Sequence, residues 1–504
     1  MLRRQFVHRA ALSMLSGAAS YIIPRLGRAA TGSWQEAFAA SLEKHPWLLA
    51  FRSAGSNSFG AVAETTGRIP EGLAGTLYRN GPARHEIGSF RYHHWFDGDG
   101  MIQAWRIRPE GVSHQARMIA TRKYLAEQDA GRALYPGFAT VPPDPRPVTS
   151  PDLVNTANIS VLAHHGELFA LWEAGSPWAI EPDTLATEGL HRFSADTSGL
   201  PFSAHPRVEA DGTLWNFGYV SAAGKLVFWH IAPDGALVKT GLVDCDPMGM
   251  PHDFVVTERH LVVLIAPLHF EPDAGAATFL DAHRWHPERP TRVLVVDKND
   301  FANHRYLELP AQWVFHFGNA WEDEAGIIRF DGARAPDPLA MIDSFRSIMR
   351  GEISPSSASV HHQYRIDLKR GTVTESPLLD AGIDSEFPVI DPRVSGRRYS
   401  TIVLLTRSGS AEHQMLNEVS RLNLDGGGLD TYRYPDGVIP EEHLYVAAPH
   451  SEPETRGWVV GSALNYRDAR MELNIFAAER LGDGPVASAR LPYALPMGLH
   501  GKFV

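Results

Sequence analysis

The chain has 504 residues, 44% of them hydrophobic and 21% charged, a balance that suits an ordinary globular protein with ample core. Its net charge is −11, from 47 basic against 58 acidic residues, with no basic run in the body of the chain, which argues against a nucleic-acid partner. Cys245 stands alone, so an intramolecular disulfide and a cysteine-rich zinc site are both excluded, and it reads as a small buried hydrophobe.

In chain order, residues 1–30 read as an export signal of the twin-arginine type. Arg3-Arg4-Gln5-Phe6-Val7 is followed by an apolar stretch from Ala10 to Ile23 and by small residues near Ala29 and Ala30. That stretch is shorter than the ~20 residues a spanning helix needs. Residues 31–504 then read as one mature domain, because no Pro/Ser-rich linker divides them.

The mature chain is predicted to be all-β. Short apolar runs recur at Leu168–Trp172, Leu214–Val220, Lys225–Ile231, Leu261–Ala266, Arg292–Val296, Tyr399–Thr406 and Trp458–Tyr466. Asp-Gly pairs punctuate them as turns, beginning at Asp97, Asp99, Asp211, Asp234, Asp331, Asp425, Asp436 and Asp483. Such a pattern fits a sandwich, barrel or propeller, and no fixed-period repeat selects the propeller. Two stretches read as helices: Tyr124–Tyr135, and Leu339–Arg350 with Met341, Ile342, Phe345, Ile348 and Met349 on one face. That stripe fits core packing, or an apolar lip dipping into a membrane surface.

Four histidines lie in separate short motifs: His205 in Ala-His-Pro, His252 in Pro-His-Asp-Phe, His316 in His-Phe-Gly-Asn, and His500 in Gly-Leu-His-Gly near the C-terminus. Their spacing excludes a local metal knuckle, so only tertiary folding can unite them. In a chain of 24 histidines coincidence competes with a metal site, and the pairs His93-His94 and His361-His362 read as surface residues. Four imidazoles suit iron, zinc, copper or nickel. Glu173, Glu386 and Glu442, at the ends of apolar runs, are candidates to hold the rings from behind, or else are solvated carboxylates.

Taken together the motifs resemble the carotenoid cleavage oxygenase family. The block Gly75-Thr-Leu-Tyr-Arg-Asn-Gly-Pro82 and the block His94-Trp-Phe-Asp-Gly-Asp-Gly-Met101 are similar to its N-terminal hallmark. Leu171-Trp-Glu-Ala-Gly175 and the four histidine motifs follow in family order. The resemblance implies a seven-bladed β-propeller with loops and helices capping one face. It implies one Fe(II) per chain, held by His205, His252, His316 and His500, with Glu173, Glu386 and Glu442 behind three of the rings. Glu441 is the competitor for the last place. The implied reaction is O2-dependent cleavage of a conjugated C=C bond to two carbonyl products, and three carboxylates against a divalent ion leave the centre with one negative charge. Ile159 stands where many members carry Thr near the metal, and its branched side chain still shields one side of it.

Trp172 stands where the lignostilbene branch places a lysine for the substrate phenolate. An aromatic wall suits a long polyene, so a carotenoid or apocarotenoid is the expected substrate. A stilbene-cleaving dioxygenase is the alternative, and an iron-dependent isomerase or a non-oxygenase binder is a further one. The expected partners are a lipophilic polyene and O2, with peripheral membrane contact through Leu134, Tyr135, Phe138 and the Met341–Met349 face. A monomer is expected, exported to the periplasm or to a membrane surface.

Overall fold

Near-continuous apolar runs such as Leu214–Val220 and Lys225–Ile231 have one physical cause: each sheet is buried on both faces. In the first strand Trp215 and Phe217 enter one core while Leu214 enters the next. Leu261, Val263 and Ile265 likewise pack on one side of their strand, and Val262 and Leu264 on the other. The computed structural model describes residues 33–272, 276–354 and 357–504, so the predicted signal segment 1–30 lies outside the described residues. Seven antiparallel sheets of four or five strands form the blades of a β-propeller, with two extra two-stranded hairpins.

Both chain ends take part in closing the ring. Glu64–Gly67 adds to the outer edge of the last blade, with Thr65 opposite Ala489, beside three further pairings that end at Val438–Ala447. Gly501–Phe503 adds to the first blade, with Leu77 opposite Phe503 and Arg79 opposite Gly501. Gly81 allows the C-terminal tail to lie against this strand, because a Cβ there would come within 2.6 Å of the Gly498 Cα.

The expected strands fall within two residues of the observed ones: Glu167–Leu171, Leu214–Val220, Lys225–Ile231, His260–Ile265, Thr291–Asp297, Thr401–Ser408 and Gly457–Asn465. Two of the Asp-Gly pairs are strand residues and not turns. Asp99-Gly100 opens Asp99–Arg108, where a side chain on Gly100 would collide with the Ala157 carbonyl, and Asp331-Gly332 lies inside Ile327–Ala335.

The first expected helix is Arg122–Ala130, capped by the Thr121 hydroxyl and ended by left-handed Gly131, so residues 132–135 fall outside it. The second is a chain of single turns, Ala340–Ser344, Phe345–Ser347 and Ile348–Arg350, stopped by left-handed Gly351. Its stripe is core: Met341, Ile348 and Met349 are buried, as are Leu134 and Tyr135, so these five cannot form a membrane lip. A further helix, Trp34–Lys44, carries a reciprocal capping box between Ser33 and Glu36 and packs against that segment. None of the described helices is long and apolar enough to cross a membrane.

Two substitutions test the closure. Gly81→Ala forces the tail away and is expected to cost about 1–3 kcal/mol in thermal or urea unfolding. Arg79 is wholly buried between Glu441 at 3.6 Å and Glu442 at 3.3 Å, so Arg79→Met strands two carboxylates and is expected to cost ~3–5 kcal/mol. A melting temperature unchanged in both variants would contradict the closure described here.

Candidate metal centre

Edge strands of the blades deliver the four histidines to one point. His205 precedes the edge strand Arg207–Val208, His252 precedes Val255–Val256, His316 lies in Trp313–Glu322, and His500 precedes Gly501–Phe503. One ring nitrogen from each lies within 4.8 Å of the others. The Nε2 atoms of His205 and His252 are 2.9 Å apart, those of His252 and His316 3.3 Å, and those of His316 and His500 3.2 Å.

Three of the rings are held from behind. Nδ1 of His316 is 2.6 Å from Glu386 Oε2, Nδ1 of His500 is 2.8 Å from Glu442 Oε1, and Nδ1 of His252 contacts Glu173 Oε1. A carboxylate accepts, so each of these Nδ1 atoms donates and carries the ring proton. Nε2 of His252, His316 and His500 then presents a lone pair, and neighbouring lone pairs cannot satisfy one another. The donor set fits a cation, and imidazole donors suit iron, zinc, copper or nickel.

Glu442 rather than Glu441 meets His500. Glu442 also accepts the Gly501 amide at 2.8 Å, whereas Glu441 accepts the Gly498 amide at 2.6 Å and contacts the Ser462 hydroxyl. Both glutamates thus tie down the C-terminal tail, and the His500 amide donates to the Ile159 carbonyl at 3.2 Å. Arg79 neutralises part of the charge on Glu442, so counting three carboxylates alone overstates the negative charge of the centre.

Burial and the carboxylates behind the rings pull the imidazoles in opposite directions. Burial drives His205 well below the ordinary imidazole range, reinforced by the three neighbouring rings and Arg207. Burial also leaves His500 lowered, although Glu442 pulls the other way. At His316 burial lowers the ring, but the charge and hydrogen bond of Glu386 outweigh it and hold it above the usual value. Burial pushes Glu442 upward, and His500, Arg79 and the Gly501 amide together keep it below the usual carboxylate range.

Several positioning residues escape the sequence reading. Arg207 ties the His252 and His316 segments to its own: it donates to the Phe254 carbonyl at 3.0 Å, to the Phe317 carbonyl at 2.9 Å, to the Gly318 carbonyl at 3.0 Å and to Asp253 at 2.6 Å. Asp253 in turn accepts the Phe317 amide at 2.8 Å. The signal was adjacency, since both flank ligand histidines. Phe387 has φ +55, costly for a residue with a Cβ, and this backbone bulges its strand after Glu386. Its amide donates to Glu386 Oε2 at 2.9 Å and its ring stacks on His316.

Other histidines differ from expectation. His94 and His361 are buried rather than superficial, with His94 Nε2 at 2.9 Å from the Met341 carbonyl and His361 Nε2 at 2.6 Å from Asp331 Oδ2. His93 stacks on Trp34. Cys245 is buried, as expected.

A cavity of about 650 Å³ reaches the centre at His252 and Glu173. Ile159 and Trp172 line it, with Phe96, Phe138, Trp313 and Phe315 among walls that are largely apolar. Tyr219 also faces it, its hydroxyl kept protonated by burial and by the charge of Glu173. Lys123 borders the cavity, but its ammonium is engaged by Tyr92 at 2.7 Å and by Asp99 and Glu127 at 3.0 Å each. Phe279, 37% exposed, and Phe270 line the cavity, and Leu339, two residues before the cavity-lining Met341, is 42% exposed.

The chain is similar to several known proteins. The apocarotenoid-15,15'-oxygenase of Synechocystis is 29% identical over 92% of this chain and 97% of its own length. Carotenoid cleavage oxygenase 1 of Neurospora crassa is 27% identical over 88% of this chain and 87% of its own. The crystal structure of the cobalt-substituted Synechocystis apocarotenoid oxygenase superposes with a TM-score of 0.81 at 26% identity, covering 91% of this chain and 98% of that one. The sequence profile of the family described as retinal pigment epithelial membrane protein matches residues 55–504. The chain therefore belongs to the retinal pigment epithelial membrane protein family, the carotenoid cleavage oxygenases.

Proposed function

We propose that this protein is a non-haem Fe(II) dioxygenase that cleaves a conjugated C=C bond of a carotenoid or apocarotenoid with O2 to give two carbonyl products. The observation that carries the reading is the convergence of four imidazoles, three of them backed by Glu173, Glu386 and Glu442, at the end of a largely apolar cavity. The activities of the relatives support the oxygenase class, and a cobalt-substituted relative supports a metal-dependent centre.

A ferrous ion bound by His205, His252, His316 and His500 would supply the chemistry with O2 that no side chain in the cavity offers. The protein's own part is positional. Glutamates fix the tautomers and the ring planes, and Arg207 and Arg79 hold the loops that carry the rings. Ile159, Trp172 and Phe315 line the approach with apolar surface, which keeps water off the reacting alkene and lies flat against a polyene.

The stilbene-cleaving alternative fits less well. Trp172 offers no charge to a phenolate, and Lys123 is already saturated by two carboxylates and a phenol. For delivery, we propose export by the segment 1–30, action as a monomer in the periplasm or at a membrane surface, and peripheral contact through the apolar side chains around Phe279 and Leu339.

Two measurements check the reading. Iron-loaded protein is offered a C40 carotenoid, an apocarotenal and a hydroxystilbene in parallel while O2 uptake and products are followed. Aldehydes from a polyene with matching O2 consumption are expected; cleavage of the stilbene alone would overturn the substrate class, and a polyene isomerised without O2 uptake would overturn the oxygenase. Separately, His252→Ala is expected to lose iron and turnover, and Glu386→Gln to weaken iron about 10–100-fold. His93→Ala should keep both. Full iron in His252→Ala would sink the ligand assignment.

A further inference from the structure

A second group of metal-type side chains lies on the hairpin of Leu268–Phe270 and His283–Trp285, and it shares no residue with the four-histidine centre. Leu268 pairs with Trp285 and Phe270 with His283. Strand alternation sends His269 and Glu271 to the face opposite Leu268 and Phe270, and Phe270 borders the apolar cavity. His286 follows the second strand, its amide bonded to the Pro267 carbonyl. One ligand atom from each of His269, Glu271 and His286 lies within 4.8 Å of the other two.

The local bonding points to a ligand. His286 is fixed from both sides, with Nε2 2.7 Å from Glu271 Oε1 and Nδ1 3.1 Å from Glu288 Oε1. With an ion bound, Nε2 would exchange its proton for the metal while Glu288 still accepts from Nδ1, the carboxylate support that metal-binding histidines use. His269 is 4% exposed, its ring centroid is 5.1 Å from that of His286, and its Nδ1 is buried with no hydrogen-bond partner among the described residues. A buried unpaired nitrogen is costly and calls for an ion or a water. Glu271 has its second oxygen only loosely engaged, 3.8 Å from Arg284 Nε.

We propose that His269, Glu271 and His286 bind a divalent cation of the zinc class. Two imidazoles and one carboxylate, with solvent completing a tetrahedron, are a donor set that zinc accepts. The ion joins the ends of both strands, so it would stiffen the hairpin whose opposite face borders the substrate cavity.

The test uses iron-loaded protein mixed with equimolar zinc, desalted, and analysed for both metals by mass spectrometry. The expected result is zinc retained alongside undiminished iron in the wild type. Zinc retention should fall about tenfold or more in Glu271→Gln and in His269→Ala, with iron unchanged. Glu271→Gln alters a partly exposed side chain, so the fold survives it and its result stands even if His269→Ala is unstable. Zinc that persists in Glu271→Gln, zinc that enters only as iron leaves, or no zinc held by the wild type would each overturn the site.

Discussion

Everything at the centre of this protein depends on where three protons sit. The carboxylates of Glu173, Glu386 and Glu442 accept from Nδ1 of His252, His316 and His500, so the lone pairs of those rings turn inward on Nε2. Lone pairs about 3 Å apart in a buried site repel unless a cation lies among them. The propeller brings these groups to one point, and a carboxylate sets the rotation of three of the four rings.

The scaffold must then hold edge strands from distant parts of the chain in register. Two arginines, Arg79 buried and Arg207 half-buried, do this by reaching carbonyl groups as well as carboxylates. Arg207 binds the His252 and His316 segments to that of His205, and Arg79 binds the strand of Glu442 to the tail that carries His500. Each satisfies groups that would otherwise be buried and unpaired, the condition under which an internal charge is tolerated. The bulge at Phe387 follows the same logic. An uncommon backbone conformation is retained there because it turns Glu386 toward His316 and lays an aromatic ring over that histidine.

Much of the site was legible in the sequence because metal ligation needs specific residue types. The four histidines and three glutamates stood in recognisable motifs, and the choice of Glu442 over Glu441 needed only the direction of each side chain in one strand. Trp172 and Ile159 line the cavity that reaches His252. The blades were less legible because strands buried on both faces lose their alternation, so single strands could be placed but a repeat could not be seen. Asp99-Gly100 and Asp331-Gly332 read as turns because a glycine that admits a neighbouring group looks the same as one that reverses the chain. The Met341–Met349 stripe carries the same ambiguity, since an apolar face does not say whether it meets lipid or core, and here core won. Arg79 stood inside the block Gly75–Pro82 and Arg207 beside the His205 motif, but their roles gave no signal because their partners lie up to hundreds of residues away.

X-ray absorption at the iron edge of the anaerobically loaded protein tests the central claim most directly. The account predicts one iron per chain with a shell of imidazole nitrogens, no sulfur, and one imidazole fewer in His500→Ala. A sulfur-containing shell, or a spectrum unchanged in His500→Ala, would contradict it.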